Sequence, residues 1–154
     1  MIPSWLAAGA NYLPMLNAAE DSYGIPRNLL ARIAYQESSW RREVINGTVK
    51  SPAGAVGLMQ LLPKYFPDAG RSIVLDINTA ARLLSALYHR FHDWQLAVAA
   101  YNWGGGNVHH EIATDGKPTL ADMPKETQNY VVDVFKDVPI NGFLYEPEPK
   151  TAVV

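Results

Sequence analysis

Leu29-Leu30-Ala31-Arg32-Ile33-Ala34-Tyr35-Gln36-Glu37-Ser38 is the stretch on which the reading of the fold turns. Leu29, Leu30, Ile33, Ala34 and Glu37 recur at steps of three and four, which places them on one face of an α-helix. The stripe is apolar until its last member, a carboxylic acid, so an acid is expected to face inward. Apolar surroundings and the negative end of a helix dipole both disfavour an ionised carboxylate. Glu37 is therefore expected to hold its proton to higher pH than an ordinary glutamate, as a general acid working near neutral pH must.

Outward from this helix the same period dominates, and alternating β patterns are nearly absent. Only Thr48 to Lys50 and Arg71 to Leu75 suggest short extended pieces. A first helix is expected over Trp5 to Tyr23, interrupted or kinked at Pro14 and closed by Gly24. The next is expected to open at Pro26 and run to about Ser39. Between Arg41 and Val56, Asn46-Gly47, Ser51-Pro52 and Gly54 mark a loop with room for a tight β-hairpin. A short helix follows from Val56 to Leu62. Asp76 is the N-cap candidate of a long helix whose apolar face is Ala80, Leu83, Leu84, Leu87, Tyr88 and Phe91. Trp94 to Tyr101 forms another, ending at the Gly104-Gly105-Gly106 break, and Lys125 to Phe135 the last. The expected class is all-α, mainly helical, with at most a small β-hairpin. Residues 1–138 read as one domain, and 139–154, with Glu146-Pro147-Glu148-Pro149, as a proline-rich solvated tail.

The 154 residues, 48% of them hydrophobic, suit one compact domain with a sizeable core. The absence of cysteine excludes a disulfide scaffold and thiolate zinc sites. A formal charge of -2 gives no broad attraction for nucleic acid. No Lys or Arg precedes Arg27, and polar residues interrupt the N-terminal apolar positions, unlike a signal peptide. No apolar run reaches the roughly 18 residues of a membrane span. A soluble chain without stable membrane insertion is expected, delivered to its place of action by other machinery. His89, His92, His109 and His110 lack a His-Glu-x-x-His pattern or a companion carboxylate at ligand spacing, so they read as solvated and no metal or other cofactor is expected. The three glycines lack the ending of a phosphate-binding loop and suit a sharp turn.

Four ordered pieces of sequence carry a resemblance. Glu37-Ser38 follows Tyr23-Gly24-Ile25-Pro26 and a helix. Ser51-Pro52-Ala53-Gly54-Ala55 leads into Gly57-Leu58-Met59-Gln60. Ala100-Tyr101-Asn102 precedes Trp103 and the glycines, and Pro124-Lys125-Glu126-Thr127 precedes Tyr130 and Val131. Together, over roughly residues 15 to 136, these resemble the soluble lytic transglycosylase and goose-type lysozyme superfamily, bacteriophage members included.

The resemblance implies a lysozyme-like helical domain with a saccharide groove. Its partner would be the peptidoglycan glycan strand, cut between N-acetylmuramic acid and N-acetylglucosamine in the bacterial cell wall by a monomer needing no cofactor. Glu37 would be the catalytic residue, with Ser51, Met59, Gln60, Tyr101, Asn102, Glu126 and Tyr130 lining the groove. From Ser38 to Pro67 the other acid is Glu43, beside Arg41 and Arg42, so no second catalytic carboxylate is apparent there. Goose-type hydrolases position water with an aspartate where Leu62 stands here, which favours a substrate-assisted, anhydro-forming reaction. The spacing of fourteen from Glu37 to Ser51 and twenty-three to Gln60 is nearer the goose type, and Asp68 could still reach the groove. Water-based hydrolysis thus stays open. So do a silent wall-binding or virion module and, against the charge, a helical nucleic-acid binder. The bland readings also stand: Met59 as core, Asn102 as a cap at the glycine break, and Glu126 as a first-turn helix charge.

Overall fold

The computed structural model describes residues 2–116 and 119–140, so the expected proline-rich tail lies, from residue 141 on, outside the described residues. The chain forms two compact units, Met1–Leu83 and Leu84–Val154, with the boundary inside a long helix.

The first unit contains α1 (Ser4–Ala8), α2 (Leu13–Tyr23), α3 (Leu29–Ser38), α4 (Arg42–Ile45) and the start of α5 (Ile73–Phe91). The single helix expected over Trp5 to Tyr23 is two. Gly9 lies against the Trp40 ring so closely that a Cβ would collide with it, and the chain turns there before α2 restarts. Pro14 sits in the first turn of α2, where a missing N–H costs nothing, rather than kinking a helix. Pro26 lies in the turn before α3, which begins at Leu29 because Asn28 takes a left-handed conformation at φ 69°.

No side chain of its own caps α3; Glu20 on α2 does so instead. Its carboxylate accepts the N–H groups of Asn28 at 2.9 Å and Ala31 at 3.1 Å and the Nδ2–H of Asn17 at 2.8 Å. Glu20 is 0% exposed, and burial pushes its carboxyl above the usual glutamate range against the pull of these donors and of Arg27. Thus α2 is joined to α3 by a polar contact at the point where the Asn28 and Ala31 N–H groups would otherwise lack an acceptor. Apolar packing completes the join, with Leu16 of α2 and Leu29, Leu30 and Ile33 of α3 all fully buried.

The loop after α3 departs from expectation. Among the described residues there is no strand or hairpin; Arg42–Ile45 is a short helix anchored by buried Val44 and Ile45. Nor is Val56 to Leu62 a helix. Val56 and Leu61 exchange backbone hydrogen bonds at 3.0 and 3.2 Å as an isolated antiparallel bridge, and the four residues between them make a tight loop. Gly57 permits it twice over: its φ is +82°, and a Cβ would come 2.7 Å from Asp76 Oδ2. Arg71 to Leu75, expected as extended, runs into α5, which starts at Ile73. Asp76 is therefore in the first turn rather than at the N-cap. Its carboxylate, 3% exposed, accepts the Gly70 N–H at 3.0 Å, and burial raises its pKa.

The second unit comprises the rest of α5, α6 (Trp94–Trp103), α7 (Gly105–Asp115), a 3-10 turn (Leu120–Asp122) and α8 (Lys125–Asp137). Asp93 caps α6 by accepting the N–H groups of Gln95 at 2.7 Å and Leu96 at 3.1 Å. From Gln95 to Ala100 every residue of α6 is buried, and both α7 and α8 pack on it. The glycines end α6 as expected, but a further helix begins within them. Gly104 alone makes the corner, at φ 105° and ψ 137°, and Gly105 and Gly106 open α7. Gly105 is needed for proximity, since a Cβ would meet Arg90 Nη1 at 2.9 Å and Leu87 Cδ2 at 3.2 Å.

Candidate functional site

Glu37 occupies the last turn of α3 and is half-buried, in a helix where Leu29 to Ala34 and Ser38 are buried outright. The chain reverses sharply just beyond it. Ser39 and Trp40 both have left-handed backbones, at φ 52° and 56°, an uncommon pair for residues with side chains. The turn is held from two sides. Ser38 Oγ donates to Ala34 O at 2.8 Å and accepts the Trp40 N–H at 3.1 Å, while Trp40 Nε1 donates to Trp5 O at 2.7 Å. The Trp40 ring stacks on Tyr12 with centroids 5.6 Å apart, and the Arg32 guanidinium lies 5.0 Å from the Tyr35 ring centre. An aromatic cluster from α1, the following turn and α3 thereby fixes the end of the helix that carries the acid.

Ser51 and Gln60 are positioned by backbone hydrogen bonds in the segment that follows. Ser51 Oγ accepts the Ala55 N–H at 2.9 Å, and its own N–H donates to Ala55 O at 3.1 Å. Gln60 takes φ 51°, and its side-chain Nε2 donates to Gly57 O at 2.9 Å. Strained conformations of this kind persist where the surrounding structure holds them, and three of the chain's described left-handed non-glycine residues flank or form this segment. Met59 departs from the groove-lining expectation: with Leu58 it is 0% exposed, the packing role that its apolar side chain also allowed. Glu43 makes an ion pair with Arg41 at 2.6 Å. Its own backbone N–H first, and then that guanidinium, hold its carboxyl below the usual range. Asp68 is exposed and paired with Arg71 at 3.2 Å.

In the second unit, Tyr101 and Asn102 are half-buried in the last turn of α6. Asn102 Oδ1 accepts a hydrogen bond from the buried Thr127 Oγ1 at 2.8 Å, which ties the end of α6 to the first turn of α8. Thr127 was quoted in the sequence only as part of a motif, and its hydroxyl is the residue that sequence reasoning missed. Glu126, its neighbour, is exposed in the acidic first turn of α8, whereas Tyr130 is buried. Glu20 was missed as well, because a glutamate eight and eleven positions before the N–H groups that it caps has no local signature. Among the described residues no group of three or more His, Cys, Asp or Glu is placed to hold a metal ion. No helix there is long and apolar enough to cross a membrane.

Comparison with known proteins places the whole chain rather than its individual residues. The transglycosylase SLT domain model matches residues 14–123. The soluble lytic murein transglycosylase of Escherichia coli K12 is 34% identical over 131 residues, covering 71% of this chain and 20% of that protein. Membrane-bound lytic murein transglycosylase D of the same organism is 35% identical over 98 residues, covering 53% and 22%. The chain thus spans about a fifth of the length of these relatives. Among solved structures, the 70 kDa soluble lytic transglycosylase of Escherichia coli superposes with a TM-score of 0.62 at 31% identity, over 80% of this chain and 23% of that one. The lytic transglycosylase Slt of Pseudomonas aeruginosa, at 24% identity and TM-score 0.63, shares the fold over 79% of this chain and 22% of its own. With its model matched over residues 14–123, most of the sequence, the chain belongs to the transglycosylase SLT domain family.

Proposed function

We propose that this chain is a peptidoglycan lytic transglycosylase that cleaves the bond between N-acetylmuramic acid and N-acetylglucosamine, with Glu37 as its one acid and base. The observation that carries the reading is the state of the neighbouring acid. Between Ser38 and Pro67 the other carboxylate is Glu43, and it is engaged with Arg41 on the surface. A reaction using a separate base or nucleophile finds no second carboxylate at hand in that stretch.

Glu37 protonates the bridging oxygen as the C–O bond to the muramic anomeric carbon breaks. The step requires Glu37 to enter as the protonated acid. The muramic acetamide carbonyl stabilises the positive charge at the anomeric carbon, the work that a second carboxylate does elsewhere. Glu37, now ionised, takes the proton from the C6 hydroxyl of the same sugar, whose oxygen attacks the anomeric carbon and closes a 1,6-anhydro ring. The proton lost in the first half is regained in the second, and no water is consumed. Gln60 and Asn102 have amides suited to sugar hydroxyls, Tyr101 an aromatic face suited to sugar C–H surfaces, and Ser51 a hydroxyl for the acetamide region. Glu126 is exposed and would meet a strand by its carboxylate, whereas Met59 and Tyr130 are buried, each in its own unit, and would support neighbouring residues rather than touch sugar.

Mass spectrometry of muropeptides released from purified walls tests the proposal. Anhydro ends, lighter by one water than reducing ends, are expected from the wild type, and no release from Glu37→Gln. Reducing-end products would establish hydrolysis instead, and unchanged lysis by Glu37→Gln would remove the catalytic assignment.

A further inference from the structure

The first unit contains a cavity of about 230 Å³ that none of the proposed groove residues lines. Its apolar walls are Leu61, Phe66 and Leu75, and its polar side is formed by α5. Leu75, Thr79 and Arg82 are separated by four and three residues, so they share one face of that helix, and all three line the cavity. Tyr65, 65% exposed, also lines it, and the Lys64 ammonium lies 5.4 Å from its ring centre.

Two carboxylates, Asp68 and Asp76, and one guanidinium, Arg82, line this cavity, and both carboxylates are engaged elsewhere. Asp68 is engaged with Arg71 at 3.2 Å. The Asp76 carboxylate is directed at the Gly70 N–H, with its two oxygens 3.0 and 3.2 Å from that nitrogen. Arg82 and the Thr79 hydroxyl have no hydrogen-bond or ion-pair partner among the described residues. A planar guanidinium and a hydroxyl on one helix face, beside an aromatic wall and a further ammonium, complement a carboxylate. The volume is below the roughly 300 Å³ at which pockets begin to enclose drug-sized ligands, so it suits a short acidic branch rather than a disaccharide.

We infer that this cavity is a carboxylate-binding subsite in which Arg82 and Thr79 hold an acidic branch of the glycan strand. The inference rests on the substrate proposed above. Peptidoglycan offers that chemistry from two sources. One is the peptide stem. The other is the lactyl carboxylate of the muramic sugar, which is free only where the stem has been removed.

Cleavage kinetics of the wild type and Arg82→Gln, on stem-bearing strands and on strands stripped by an amidase, separate the two. Loss of a charge-assisted hydrogen bond is expected to raise KM roughly tenfold with kcat retained. Confined to stem-bearing strands, the effect assigns the carboxylate to the peptide; confined to stripped strands, it assigns it to the sugar. An equal effect on both, or none on either, overturns the subsite. Thr79→Val, of nearly the same shape, should reproduce the selectivity more weakly. Should the wild type cut neither strand, the functional proposal fails and the subsite is decided separately by titrating the full chain with a stem tetrapeptide and with N-acetylmuramic acid. Saturable amide shifts centred on residues 75–82 and lost in Arg82→Gln would uphold it. Without such shifts it is overturned.

Discussion

Glu20 and Glu37 are two glutamates on successive helices with opposite histories. Glu37 ends an apolar stripe, and its importance is visible in the spacing. Glu20 reads as a polar interruption of the N-terminal helix, yet it is the fully buried one, capping α3 from outside. Glu20→Ala would leave the Asn28 and Ala31 N–H groups without their acceptor, at an expected cost of about 1–3 kcal/mol, read as a lower urea midpoint. For Glu37→Gln the expectation is reversed: cleavage falls by roughly 10²–10⁴, while the circular dichroism spectrum and urea midpoint stay near wild type. A drop in stability as large as that of Glu20→Ala would mean that Glu37 is chiefly structural.

At the scale of elements, the long helices were legible because their apolar periods persist over several turns, as in Ala80, Leu84 and Leu87 of α5. Short pieces were not. Trp5 to Tyr23 looks continuous until Trp40, thirty-one positions beyond Gly9, is packed against that glycine. Gly105 and Gly106 look like helix breakers, yet both open α7, and the close approach to Leu87 and Arg90 shows why the first of them is glycine. Of the three consecutive glycines, Gly104 is the one whose backbone a side chain would not tolerate, at φ 105° and ψ 137°. Gly104→Ala is therefore expected to lower stability by about 1–3 kcal/mol, measured by thermal or urea unfolding. Thr127→Val keeps shape but removes the bond to Asn102, for about 1 kcal/mol. If Asn102 holds sugar as proposed, this variant also raises KM for glycan strands, and an unchanged KM would assign the bond to packing alone.

For the whole molecule, two of the buried carboxylates, Glu20 and Asp76, set a pH dependence. Burial raises the folded-state pKa of both Glu20 and Asp76 above their unfolded values, so the native state keeps protons that the unfolded chain has released. Their contribution to stability is full below the unfolded carboxyl values and declines as pH rises through the folded ones. As pH rises from the unfolded carboxyl range through the raised folded values, a Glu20→Gln, Asp76→Asn variant should lose less stability than the wild type, shown by urea midpoints across that range. An identical pH slope would contradict the burial of both groups. The sequence by itself determined the helical class, the candidate acid and the ordered motifs of the family, because periodicity and local motif order are properties of neighbouring residues. Tertiary structure alone decided that Glu20 caps α3, that Met59 is buried, that residues 56–61 close as a bridged loop, and that Thr127 holds Asn102. Each of these depends on contacts between positions far enough apart in the chain that no local period records them.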